Sequence, residues 1–186
     1  MGLISLQRLD PVRVALPELD TLAATLGHTL ALATPGSYGP TIVHIHQSCE
    51  PIHVAMRTGT VMSLLQTATG LAFAAWLPPD TLAALLALEA AGAAQLGTPY
   101  PVLPEAERLA RFADVRRHGV ARTIDVPVAG ISAISAPVFD YSRRVVLALT
   151  AIGPSGAFDA AWQGPIACAM RERAASISAQ LGYQPD

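Results

Sequence analysis

Apolar residues recur at helical spacing at Leu19, Leu22 and Leu26 and stop at Gly27, which predicts a helix over 17–26. Asp10 followed by Pro11 reads as an N-cap with proline in the first turn, extending that helix backwards. Pro17 interrupts the extension, so the segment either kinks there or has its true start there. The period then shortens to two. Residues 29–34, 41–47, 52–57 and 61–64 read as successive strands, separated by the turn formers of 35–40, by Glu50-Pro51 and by Thr58-Gly59-Thr60. Helical spacing returns from Thr67 to Trp76 and is stopped by Pro78-Pro79. A helix capped by Asp80 follows over 80–90, then a loop over 92–101. A polar-faced helix over 105–117 turns Leu109, Phe112 and Val115 inward and ends at Gly119. Strands are predicted at 120–126, 131–139 and 145–152. A last helix over 163–181 presents Ile166, Met170, Ala174, Ile177 and Leu181 on one face. The order, largely antiparallel strands interspersed with helices, is that of a layered α+β domain rather than a doubly wound parallel sheet.

Composition narrows the function classes. The 186 residues suit one domain, and 52% of them are hydrophobic, enough for a substantial core. No apolar run approaches the roughly 18 residues of a membrane span, and the first residues lack a secretion signal. A cytoplasmic protein is expected. With a formal charge of −2, and basic pairs only at Arg116-Arg117 and Arg143-Arg144, the chain lacks the basic face that phosphate neutralisation requires. Lysine and asparagine are absent altogether. The two cysteines, Cys49 and Cys168, lie far apart and are expected to be reduced thiols.

Catalytic patterns are missing: there is no Gly-x-Ser-x-Gly elbow, no phosphate-cradling glycine loop and no suggestive pair of acids. Ser132 and Ser135 sit in an apolar strand without a histidine partner nearby in sequence. His44 and His46 share a strand face, and a hairpin at Glu50-Pro51 would bring His53 to it with Cys49 nearby. Three imidazoles can hold zinc, yet this spacing matches no structural zinc motif, so the expectation is no metal and no cofactor. Thr67-Ala68-Thr69-Gly70 opens a predicted helix, whose end offers unpaired N–H groups to a carboxylate, with small residues permitting close approach. Plain N-capping by Thr67 accounts for the same residues. Met56, Met62 and Leu64 fit either a core or the wall of an adaptable pocket.

Three stretches resemble the effector-binding domains of IclR-type bacterial transcriptional regulators. The run 57–79, Arg-Thr-Gly-Thr-Val-Met-Ser-Leu-Leu-Gln-Thr-Ala-Thr-Gly-Leu-Ala-Phe-Ala-Ala-Trp-Leu-Pro-Pro, looks like the family's entry into a pocket-lining helix. Residues 133–140, Ala-Ile-Ser-Ala-Pro-Val-Phe-Asp, look like the end of its signature, and 145–154 like its penultimate element. The resemblance implies a GAF-like (profilin-like) fold, a curved antiparallel sheet with helices on both faces around a small-molecule pocket. It implies a homodimer or homotetramer, and DNA contact only through an N-terminal winged helix-turn-helix. In that frame residues 1–10 are a linker to a DNA-binding domain absent from this chain, and 11–186 the effector domain. The expected contacts are Met62, Leu64, Ala68, Thr69, Gly70, Thr123, Asp125, Ala133, Thr150 and Ile152. Thr123, Val126, Ala133 and Ile152 stand where the family more often has acidic, hydroxylated or thiol side chains. A guest less polar than the family's small keto-acids is therefore expected, such as an apolar or aromatic acid. The competing expectations are a pure oligomerisation module whose pocket is closed by Met62, Val126 and Ile152, and a metal-dependent enzyme built on His44, His46 and His53.

Overall fold

The computed structural model describes residues 10–48, 56–98 and 103–185. Helix α1, Pro11–Leu26, starts where the Asp10 carboxylate accepts from the Val12 N–H and ends at Gly27, whose φ of 68° is the left-handed value glycine adopts freely. It runs through Pro17 because Ala15, Leu19 and Leu22 are buried on the sheet to either side of the lost hydrogen bond. Strands β1, Thr29–Thr34, and β2, Thr41–His46, form a hairpin. Next come α2, Ala68–Ala74, α3, Pro79–Gln95, and α4, Glu105–His118. Strands β3, Ala121–Ile124, β4, Ile131–Phe139, and β5, Val145–Pro154, precede the closing helix α5, Pro165–Gln180.

The five strands make one antiparallel sheet in the order β2-β1-β5-β4-β3. Alternation sends bulky side chains to one face and small ones to the other. Leu30, Leu32, Ile134, Val138, Leu147 and Leu149 meet α1 and α5 in one core. The opposite face carries Ala31, Ala33, Ala121, Ala133, Ser135, Ala148 and Thr150. Over it lie α2, wholly buried, and α4, which contributes Phe112 and Val115. Small residues on this face let α2 sit close to the sheet where they are covered, and leave a hollow where they are not.

Several elements differ from the pattern reading. Of residues 61–64 only Val61 forms a bridge, to Thr41. The expected strand 52–57 lies mostly outside the described residues, and Met56 and Arg57 are not in a strand. Helix α3 is capped at Pro78 rather than Asp80 and continues past Gly92 to Gln95, because Gly92 does not turn to the left-handed φ with which Gly27 and Gly119 end their helices. Leu109 is exposed, so the inward face of α4 is narrower than expected. Strand β3 ends at Ile124, before Asp125 at φ 56° and a cis Val126–Pro127 bond. Cys168 is an exposed free thiol, and Cys49 lies outside the described residues. No helix among the described residues is long and apolar enough to cross a membrane.

Candidate functional site

Where α2 leaves the sheet uncovered, a cavity of about 130 Å³ opens. Its walls come from Met56, Thr60 and Met62, from the first turn of α2, and from the sheet residues Thr123, Ile131, Ala133, Thr150 and Ile152. Val126, Pro127 and Val128 complete it, and because all three are also exposed they stand between the hollow and solvent. Among the described residues no charged side chain lines it.

Its polar floor is a chain of buried hydroxyls. Thr69 Oγ1 lies 2.8 Å from Thr150 Oγ1, which lies 2.9 Å from Ser135 Oγ. Strand pairing sets this geometry, since Ser135 and Thr150 are directly opposed on β4 and β5. At the head of α2, Thr67 Oγ1 accepts from the Gly70 N–H at 2.9 Å and donates to the Ser63 carbonyl at 2.7 Å. That hydroxyl is an N-cap with its hydrogen already engaged, so it has none left to donate to a ligand. Helix geometry gives the N–H groups of Ala68 and Thr69 no acceptor within α2. The other end of α2 is fixed by Arg116, whose Nε donates to the Ala75 carbonyl at 2.8 Å and sets a cation against the helix C-terminus.

Of the ten residues expected as contacts, Met62, Ala68, Thr69, Thr123, Ala133, Thr150 and Ile152 line this one hollow. Three do not. Leu64 is packed in the core beneath α2. Gly70 serves packing rather than ligand approach: a Cβ there would fall 1.9 Å from the Ser63 carbonyl oxygen. Asp125 is not in the lining and clasps the loop beside the hollow, accepting from the Gly130 N–H at 3.0 Å and from Ser155 Oγ at 2.6 Å. Met62, Val126 and Ile152, the side chains expected to close the pocket in a pure oligomerisation module, line it without filling it. Sequence reading missed Thr60, Pro127, Val128 and Ile131, which arrive from loops and a strand end with no periodic signal. Ser135 was seen only as a serine without a catalytic partner; its position opposite Thr150 was the available clue.

His44 and His46 lie on the edge strand β2, and His46 Nδ1 is 3.6 Å from Asp20 Oδ1. His53 lies outside the described residues. Among the described residues no group of three or more His, Cys, Asp or Glu side chains could hold a metal ion. A larger cleft of about 410 Å³ lies by α5, where the Phe139 ring contacts those of Trp76 and Tyr183.

The family model described as "Bacterial transcriptional regulator IclR C-terminal" matches residues 4–179. The chain belongs to the IclR family. Pseudomonas aeruginosa HmgR is similar to it at 33% identity and a TM-score of 0.88, covering 100% of this chain and 72% of that one. Thermotoga maritima IclR shares the fold at 20% identity and a TM-score of 0.79, covering 97% of this chain and 72% of that one. The C-terminal domain of E. coli KdgR does so at 22% identity and a TM-score of 0.75, covering 94% of this chain and all of that domain. No curated protein sequence matches the chain. The five-stranded sheet with helices on both faces is thus the GAF-like IclR C-terminal fold, and this chain is a regulatory, non-catalytic domain of a transcriptional regulator.

Proposed function

We propose that this IclR-family domain senses a small, apolar or aromatic organic acid in the hollow between α2 and the sheet. The observation that carries this reading is the hollow itself: an uncharged, mostly aliphatic wall over a hydroxyl floor. At about 130 Å³ it approaches the roughly 150 Å³ cavities that take up one benzene ring. Met62, Ala68, Thr69, Thr123, Ala133, Thr150 and Ile152 make the contacts. A guest with differential affinity for two arrangements of a cytoplasmic homodimer or homotetramer shifts their balance, and with it the DNA-binding domains attached on the N-terminal side. Self-association is favoured by α3, a helix rich in Ala and Leu with no buried residue, on which Leu88 is 46% exposed.

A thermal-shift comparison tests the ligand class. Benzoate at a hundred times its Kd should stabilise by about 2.7 kcal/mol, or about 5–11 °C in Tm for a domain of this size. Glyoxylate and pyruvate should give no shift. Stabilisation by those two acids without any by benzoate overturns the proposal.

A further inference from the structure

We infer that the hydroxyl chain under the hollow is set as a hydrogen-bond donor, that Ser135 is the positioning residue that sets it, and that the effector must bring an oxygen acceptor to it. The inference rests on the hollow being the effector site. Each hydroxyl has one hydrogen and two lone pairs. Thr69, Thr150 and Ser135 therefore hold three hydrogens and share two hydrogen bonds, and no further partner engages them among the described residues. One hydrogen is surplus.

Burial decides where the surplus goes. Ser135 is fully enclosed and does not reach the hollow, whereas Thr69 and Thr150 both line it. If Thr150 donated to Ser135, the buried Ser135 hydrogen would be stranded with no acceptor among the described residues, the costliest of the possible orientations. Ser135 accordingly donates to Thr150, and the free hydrogen sits on Thr150 or Thr69, facing the guest. A guest offering only a donor at that point leaves this hydrogen unmatched in a closed site, while a carbonyl or carboxyl oxygen accepts it. When Thr69 carries the hydrogen, the bonds run in one direction, from Ser135 through Thr150 and Thr69 to the guest, and each polarises the next.

Three probes of similar shape read this out: toluene, benzaldehyde and aniline, titrated against the full chain by amide NMR. Benzaldehyde should bind roughly tenfold more tightly than aniline, the factor typical of one matched against one unmatched hydrogen bond. Ser135→Ala should weaken benzaldehyde about two- to fivefold through the shortened chain and leave toluene unchanged. A merely structural role would weaken both alike. In a Thr150→Val background Ser135→Ala should no longer alter the benzaldehyde-to-toluene ratio. Equal binding of benzaldehyde and aniline, or an equal effect of Ser135→Ala on benzaldehyde and toluene, overturns the inference and leaves the site standing. Failure of all three probes to perturb Thr69, Ala133 and Ile152 overturns the site and the inference together.

Discussion

Two helical glycines should respond to alanine in opposite directions. At Gly70 in α2, an added Cβ would lie 1.9 Å from the Ser63 carbonyl oxygen and 2.6 Å from Leu64 Cα. Both obstacles are backbone, so no rotamer change relieves them. They belong to the segment that Thr67 Oγ1 ties to the head of α2. The helix must therefore lift from its seat or the segment must move, in a part of the molecule where residues 68–74 are all buried. Overpacking costs about 1–3 kcal/mol, and with two rigid backbone contacts the upper end applies. At about 2–4 °C per kcal/mol, Gly70→Ala should lower Tm by about 6–12 °C. At Gly92 in α3, nothing lies within 4 Å of the added atom. There alanine should stabilise by about 0.4–1 kcal/mol, through the unfolded chain and helix propensity. Urea and thermal unfolding of both variants at one protein concentration measure the contrast. A Gly70→Ala protein melting within 1 °C of the parent would refute the close seating of α2 on Ser63 and Leu64.

Thr69→Phe should fill the hollow and abolish benzoate binding in calorimetry while cooperative unfolding persists; unchanged affinity would refute the placement of the site. Asp125→Ala should cost about 1–2 kcal/mol, by losing two hydrogen bonds and leaving alanine at a positive φ, and should speed amide exchange at Gly130. Asp125→Gly loses the same bonds but tolerates φ 56°, so it should be the milder change. Leu88→Arg places a charge on the exposed face of α3 and should lower the sedimentation mass of the assembly without lowering the cooperativity of unfolding.

The helices and the long strands were legible because their apolar spacing is regular. Leu19, Leu22, Ile166, Met170, Ala174 and Ile177 are buried as their periodicity required. Seven of ten expected contacts also reach the hollow, since strand alternation puts Ala133, Thr150 and Ile152 on one face. What was not legible depends on spatial neighbours. Gly70 looked like a ligand approach because sequence does not reveal the Ser63 carbonyl beneath it. Asp125 looked like a polar contact because its partners, Gly130 and Ser155, follow only from the loop's return. Thr67 carried two possible roles, and its hydrogen bond to Ser63 selects the capping one. Residues 61–64 have strand composition but only one bridge, at Val61, because composition does not supply a partner strand.

Where the guest sits is open to one direct measurement, an amide and methyl NMR titration of the chain with benzoate. Saturable shifts centred on Thr69, Thr123, Ala133, Thr150 and Ile152, the residues around the hollow, are expected. Shifts centred instead on the cleft at Trp76, Phe139 and Tyr183, with the hollow unperturbed, would contradict that placement.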